Sequence, residues 1–213
     1  KQIGYDLAAL VAGRHTHPVA MTVGGFSFLL DPARTLGMRE RLANILDDLE
    51  ATVELFASVE LPTFERETEY VSLTHPDRYA FYSGEIVSSD GPRIPVAEYR
   101  DAIGERVVEH STAKWARWNR DEYLVGALAR FNNNYEQLHP PAQAAAQRLG
   151  MEPPVHNPFA MTVAQLIECI HCVEDAIELT DELVSRGTDR GQQQAEVEAK
   201  TGLGVGAVEA PRG

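Results

Sequence analysis

The segment "AMTVAQLIECIHCVEDAIELTDELVSRG", residues 160–187, most constrains what this chain can fold into. Val163, Ile167, Ile170, Val173, Ile177 and Val184 recur near one face of a helix, and Gly187 follows as a stop. A second stripe runs through "LGMRERLANILDDLEATVELFASVE", where Leu42, Ile45, Leu49, Val53 and Phe56 line up with Asp and Glu opposite. Pro62 ends that pattern. Two apolar stripes of this length must be covered by other elements. They predict a mainly α fold with long helices packed as a bundle core.

The rest of the chain adds a smaller β portion. Residues 1–12 carry Ile3, Leu7, Leu10 and Val11 at helical spacing before Gly13. A β-like stretch follows, broken at Gly24-Gly25. Residues 66–100 read as a small β-rich insertion: "EYVSL", "YAFYSGEIV" and the turn "SDGPRIP". "VAEYRDAIGERV" reads as a short helix, and "DEYLVGALARFNNNYEQLHP" as mostly helical. "AQAAAQRLG" reads as a helix capped by Gly150, "MEPPVHNPF" as a loop, and "TDRGQQQAEVEAKTG" as polar and exposed. The expected class is α+β, mainly α, in a single domain over 1–213 without internal repeats.

Composition removes several function classes. The formal net charge of −13 argues against nucleic-acid binding, which needs clustered Lys and Arg. No apolar run approaches the roughly 20 residues of a membrane span, and no signal segment opens the chain. Two cysteines in 213 residues are not a disulfide framework, which fits a reducing, cytoplasmic setting. The chain opens on Lys1 rather than Met, which points to a removed segment or a fragment.

Candidate chemistry is sparse. Cys169-x-x-Cys172 has the spacing of a zinc or redox pair. It lies inside a helix with no second ligand pair, and packing or inert thiols is the preferred reading. His15-x-His17 could ligate a metal from one side of a strand, though a structural role is favoured. His75, His139 and His156 sit beside or near prolines in loops and read as structural; His110 and His171 show no recognisable partner. Trp115 and Trp118 could stack a ligand, with packing the stronger reading. Gly202, Gly204 and Gly206 imitate a dinucleotide fingerprint, but the third glycine comes one residue early and no strand precedes it. What remains is a tight glycine segment, tolerant of positive φ and close approach, that carries Glu209 and Arg212. Pro211 stiffens the backbone just before the guanidinium.

Three segments in order resemble the large, catalytic subunit of nickel-iron hydrogenases. They are "GRHTHPVAMTVGG" from Gly13 to Gly25, "YLVGALARFNNN" from Tyr123 to Asn134, and the closing "GLGVGAVEAPRG". "VEHSTAKWARW" and the β insertion look most like the cytosolic NAD(P)-linked, sulfhydrogenase-like branch. The family holds a Ni-Fe(CN)2CO centre with two cysteine pairs, one in Arg-x-Cys-x-x-Cys and one in Asp-Pro-Cys-x-x-Cys-x-x-His. Neither segment is present, and "ECIHCVED" matches neither. The chain therefore looks like the middle of a large subunit, an incomplete form of that fold, with no metal ligands and no cofactor of its own.

The resemblance implies site residues only where motifs coincide. Arg212 matches the family's active-site arginine, which overhangs the metal centre and assists heterolytic H2 cleavage, and Pro211 lines the same pocket. His17 matches a histidine that faces the proximal cluster of the small subunit. Implied partners are flavin-bearing NAD(P) reductase subunits and an iron-sulfur small subunit, with no nucleic acid and no membrane. The fragment alone is expected to be inactive and to self-associate through uncovered apolar surface. The alternatives are a metal-free relative akin to the quinone-site subunit of NADH dehydrogenase, and a non-catalytic helical interaction module.

Overall fold

A computed structural model describes residues 1–189, 191 and 193–213. Arg190 and Gln192, within the stretch predicted to be polar and exposed, lie outside the described residues. The elements in chain order are α1 (Gln2–Ala12), β1 (Met21–Thr22), β2 (Gly25–Phe26), α2 (Pro32–Ala43), α3 (Leu46–Ala57), β3 (Glu69–Thr74), β4 (Glu85–Ser88) and β5 (Arg93–Pro95). Then come α4 (Tyr99–Ala102), β6 (Gly104–Val108), β7 (Ser111–Arg117), β8 (Tyr123–Leu124), α5 (Ala127–Asn134), α6 (Pro140–Arg148) and α7 (Met161–Arg186). Helix covers 44% and strand 15%, a mixed α+β composition. The chain divides into two compact units, Lys1–Ala51 with Cys172–Gly202, and Thr52–His171 with Leu203–Gly213.

In the first unit, α1 ends at Gly13 in the left-handed region, where a side chain would be strained. The stripe predicted as one helix through residues 36–60 is instead two helices. α2 starts earlier, because Asp31 accepts a hydrogen bond from the Ala33 N–H and Pro32 suits the first helical position. It stops at Asn44, and the Ile45 N–H turns back to the Leu42 carbonyl at 3.2 Å. Such a tightened last turn ends the ladder, and asparagine favours helix ends over interiors. The core of this unit joins Leu10, Met38 and Leu42 to Ile3, Leu7 and Leu30, and to Val173, Ala176 and Ile177 of α7. Arg39 pairs with Asp181 in fork geometry at the surface, where screening leaves such a pair worth little.

The second unit is built on a four-stranded sheet of order β5-β4-β3-β8. β3 runs antiparallel to β4 and parallel to β8. Every residue of β3 is buried, because both of its faces are covered. Val71 and Leu73 point into a cluster with Ala80 and Ile86, against which Ile94, Ile103, Trp118 and Tyr123 pack. The polar alternation of β3 meets α5 and its run of asparagines. Asn133 donates to the Ser72 hydroxyl and the Tyr70 carbonyl, and Asn134 to the Leu73 carbonyl. Sequence pattern explains this: residues one apart on a strand face opposite sides, so Ser72 meets the amides while its neighbours meet apolar carbon.

Glu69, at the start of β3, is fully buried. Its carboxylate accepts from the Ser88 hydroxyl, the Asn119 amide group and the Arg120 backbone N–H. These donors satisfy it and tie the Asn119–Arg120 loop to the sheet. β6 and β7 form a separate, largely exposed hairpin. The segment predicted as one short helix over 96–107 is thus a short turn of helix followed by a strand. Gly104 opens that strand opposite Arg117.

Candidate active site

The closing segment Leu203–Gly213 carries no regular secondary structure before its last turn. It is held by its own residue Glu209. The Glu209 N–H donates to the Phe81 carbonyl at 2.6 Å, and its carboxylate accepts from the Leu73 N–H at 2.5 Å. A side chain thereby completes the hydrogen bonding of a central strand.

Arg130 of α5 lies against this segment and is wholly buried. An arginine has five N–H donors in a rigid fork, and all five are used. Nε and one Nη2 hydrogen go to the two oxygens of Glu168 on α7, at 2.6 and 2.8 Å. The Nη1 hydrogens go to Glu209 at 3.0 Å and to the Ala210 carbonyl at 2.8 Å. The second Nη2 hydrogen goes to the Pro211 carbonyl at 2.8 Å. Tyr79 donates a further hydrogen bond to Glu168 at 2.8 Å, and the guanidinium lies 5.5 Å from the Phe81 ring centre.

Burial opposes the charge on Arg130, but Glu168 and Glu209 outweigh it and raise its pKa. Burial raises the pKa of Glu209 above the usual 4.5, against the opposing Leu73 N–H and Arg130. A carboxyl whose folded pKa is raised binds its proton more tightly when folded. Its stabilising contribution is full below the unfolded value and is lost as pH rises through the raised one. Stability of the second unit is therefore expected to fall from pH 4.5 upward through that window, and Glu209→Gln to flatten the slope. Urea titrations at a series of pH values check this; an unchanged slope in the variant would contradict it.

The structure places the predicted site residues unevenly. Pro211, whose own carbonyl is clamped, and Arg212 lie in a turn closed by the Gly213 N–H to the Ala210 carbonyl at 3.1 Å. Arg212 is exposed and makes no hydrogen bond or ion pair with the described residues. His17 lies elsewhere, in the exposed loop of the first unit, not on a strand. It adopts a left-handed φ of 54°, uncommon for a non-glycine residue, and its carbonyl accepts from Arg14 Nε at 2.5 Å. The strand expected to carry His15-x-His17 is replaced by a bend.

Other expectations need correction. Gly202, Gly204 and Gly206 show neither positive φ nor close contacts; an added Cβ at each would meet open space. The glycine that the site needs is Gly126. Its φ of 87° and ψ of −161° fall where only glycine is at ease. A Cβ there would lie 2.9 Å from the Arg212 carbonyl. Gly126→Ala is expected to cost about 1–3 kcal/mol and to displace the closing turn. Thermal melting checks the first effect; an unshifted Tm would contradict it.

Cys169 and Cys172 are both exposed on α7 rather than packed in the core. His171, for which no partner was expected, is buried and accepts from the His139 N–H at 3.2 Å. His110 meets the edge of Trp115, and Trp118 joins the sheet cluster. The residues missed in the sequence are Gly126, Arg130 and Glu168. One signal was available: Glu168 is the lone acidic residue in the apolar run between Met161 and Val173.

This fold is shared with a solved NAD+-reducing [NiFe]-hydrogenase in its H2-reduced state. The likeness has a TM-score of 0.74 and 22% identity, covering 93% of this chain and 48% of that one. Over its whole length the chain is similar to alpha or A subunits of several hydrogenases. The alpha subunit of sulfhydrogenase 1 from Pyrococcus furiosus is 34% identical over 100% of this chain and 50% of its own length. The matching subunit of the F420-non-reducing hydrogenase vhu from Methanococcus voltae is 30% identical, over 100% and 54%. The alpha subunit of sulfhydrogenase 2 from Pyrococcus furiosus is 27% identical, over 100% and 49%. The chain spans about half the length of the curated relatives it matches. No family model matches it.

Proposed function

We propose that this chain forms part of the catalytic large subunit of a nickel-iron hydrogenase, working in the reversible oxidation of H2 to protons and electrons. The observation that carries the reading is Arg212. It is an exposed cation, unpaired among the described residues, at the end of a backbone whose two preceding carbonyls are held by a buried side chain. A pinned backbone beneath an unpaired cation is the arrangement expected of a preorganised charge.

The residues present do not by themselves fit the metal centre of that family. Among the described residues no group of three or more His, Cys, Asp or Glu is placed to hold a metal ion. What the chain supplies is the charge beside such a centre. The Arg212 guanidinium would place a positive charge beside such a centre, held by backbone that a buried side chain pins. Pro211 stiffens the approach to it. The role read for Arg212 is that of a fixed positive field.

The same reading assigns the exposed His17 loop to contact with an iron-sulfur small subunit, and routes electrons onward to flavin-bearing NAD(P) reductase subunits in the cytoplasm. Among the described residues no helix is long and apolar enough to cross a membrane. The helices of the first unit are read as part of a bundle core. Met21 and Val23 are about three-quarters exposed and Phe26 is half exposed. An apolar hairpin of this kind marks a covered surface, so the isolated chain is expected to self-associate. A monodisperse monomer in light scattering would contradict that.

The functional test uses the protein purified from its source with whatever polypeptides carry and accompany this chain. H2-dependent reduction of a viologen dye, together with nickel and iron by mass spectrometry, is the expected result. Absence of both nickel and H2 oxidation would overturn the reading.

A further inference from the structure

We propose that Arg130 is a positioning residue for Arg212, setting where that cation stands through the backbone of Glu209, Ala210 and Pro211. The inference rests on the reading of Arg212 as the cation of the active site and extends it to a residue that touches none of the reacting atoms.

The geometry separates Arg130 into two working edges. One edge grips both oxygens of Glu168, itself held by Tyr79. That edge fixes the guanidinium plane to α7. The remaining donors reach the Glu209 carboxylate and the carbonyls of Ala210 and Pro211. Three consecutive residues immediately before Arg212 are thus bound to a single rigid fork. Two successive carbonyls held at 2.8 Å leave the following peptide little freedom. The Gly126 backbone closes the other side, at 2.9 Å from where its Cβ would stand to the Arg212 carbonyl. A lysine could supply the charge but only three donors from a single nitrogen. It could not reach Glu168 and both carbonyls together.

This explains why a fully buried cation is present at all. A buried ion pair rarely adds stability over a well-packed apolar replacement, so its retention asks for another role. Here the charge allows one side chain to organise five acceptors, three of them on the closing segment. Glu209 is doubly anchored, since its other oxygen accepts from Leu73. The position of Arg212 is therefore referred back to both α7 and β3.

The test is residue-resolved amide hydrogen exchange on the full chain, comparing wild type with Arg130→Lys. The reporters are the Glu209 N–H, bonded to Phe81, and the Gly213 N–H, bonded to Ala210. The expected result is exchange at least tenfold faster at these amides, with those of β3 and α5 unchanged. Unchanged exchange at Glu209 and Gly213 in a folded variant would overturn the proposal. If Arg130→Lys does not fold, Glu209→Ala takes its place. It removes one anchor and leaves the Arg130–Glu168 pair intact. Loosening confined to Glu209–Gly213 supports the proposal, and full protection there overturns it.

In the active enzyme, Arg130→Lys is expected to lower kcat at least tenfold with KM nearly unchanged. Adding Arg212→Ala is expected to cause no further loss beyond that of Arg212→Ala alone, because both act through one group. Additive losses would overturn the proposal. If Arg212→Ala alone leaves activity intact, the catalytic reading of Arg212 fails, while the exchange result still decides whether Arg130 orders the segment.

Discussion

Replacing Arg130 by methionine is expected to cost about 3–5 kcal/mol of stability near neutral pH. The reason is what it leaves behind. The Glu168 and Glu209 side chains are only 8% and 10% exposed, and each would lose its charge partner. Glu168 would keep the Tyr79 hydroxyl and Glu209 the Leu73 N–H, neither of which carries a charge. Two carboxylates then sit in a poorly hydrated space without a charged partner. The loss should shrink as pH falls, because burial already raises the Glu209 pKa and its protonation removes part of the uncompensated charge. Combining the methionine with Glu168→Gln and Glu209→Gln should recover much of it, as neutralising a whole network costs less than breaking it. Urea denaturation reads the effect as a lower midpoint with an unchanged slope. A loss below about 1 kcal/mol at neutral pH would mean that the network is open to water.

Arg212→Ala is expected to behave in the opposite way. The side chain is exposed and pairs with nothing among the described residues, so its removal should change stability by less than about 0.5 kcal/mol. On the function proposed above, H2 oxidation by the protein that carries this chain should fall by about 10²–10³-fold, the usual loss when one preorganised electrostatic group is removed. Arg212→Lys should restore only part, since a point charge on a flexible stem replaces a planar one. Stability by melting and H2-dependent dye reduction, measured on the same preparation, separate the two effects. Full activity in Arg212→Ala would remove this residue from the mechanism. The two arginines thus make a contrast. One is buried and expected to dominate stability, while the other is exposed and expected to dominate chemistry.

Much of the local structure was legible in the chain. The stripe of Val163, Ile167, Ile170, Val173 and Ile177 gives α7, and glycines mark its end and those of α1 and α6. The break expected at Gly24-Gly25 falls at the turn between β1 and β2. The break at Asn44 was not legible, because the apolar stripe continues through it and periodicity does not register the capping bonds that end a helix. The glycine-rich run was misleading for a related reason. Composition says where glycine is allowed, and only the fold says where it is required. Gly202, Gly204 and Gly206 stand in open space, whereas Gly126 carries the close approach.

The motif ending in Arg212 was recognisable as a sequence, but its support was not. Arg130 is 38 residues from Glu168 and 79 from Glu209. Helical periodicity, caps and turns depend on neighbours within a few positions, and those the sequence by itself determined. Whether a charge is buried, and whether five acceptors surround it, depends on which distant segments converge. Only the tertiary structure decided that, because the cost of burying Arg130 is met by partners the local chain does not contain.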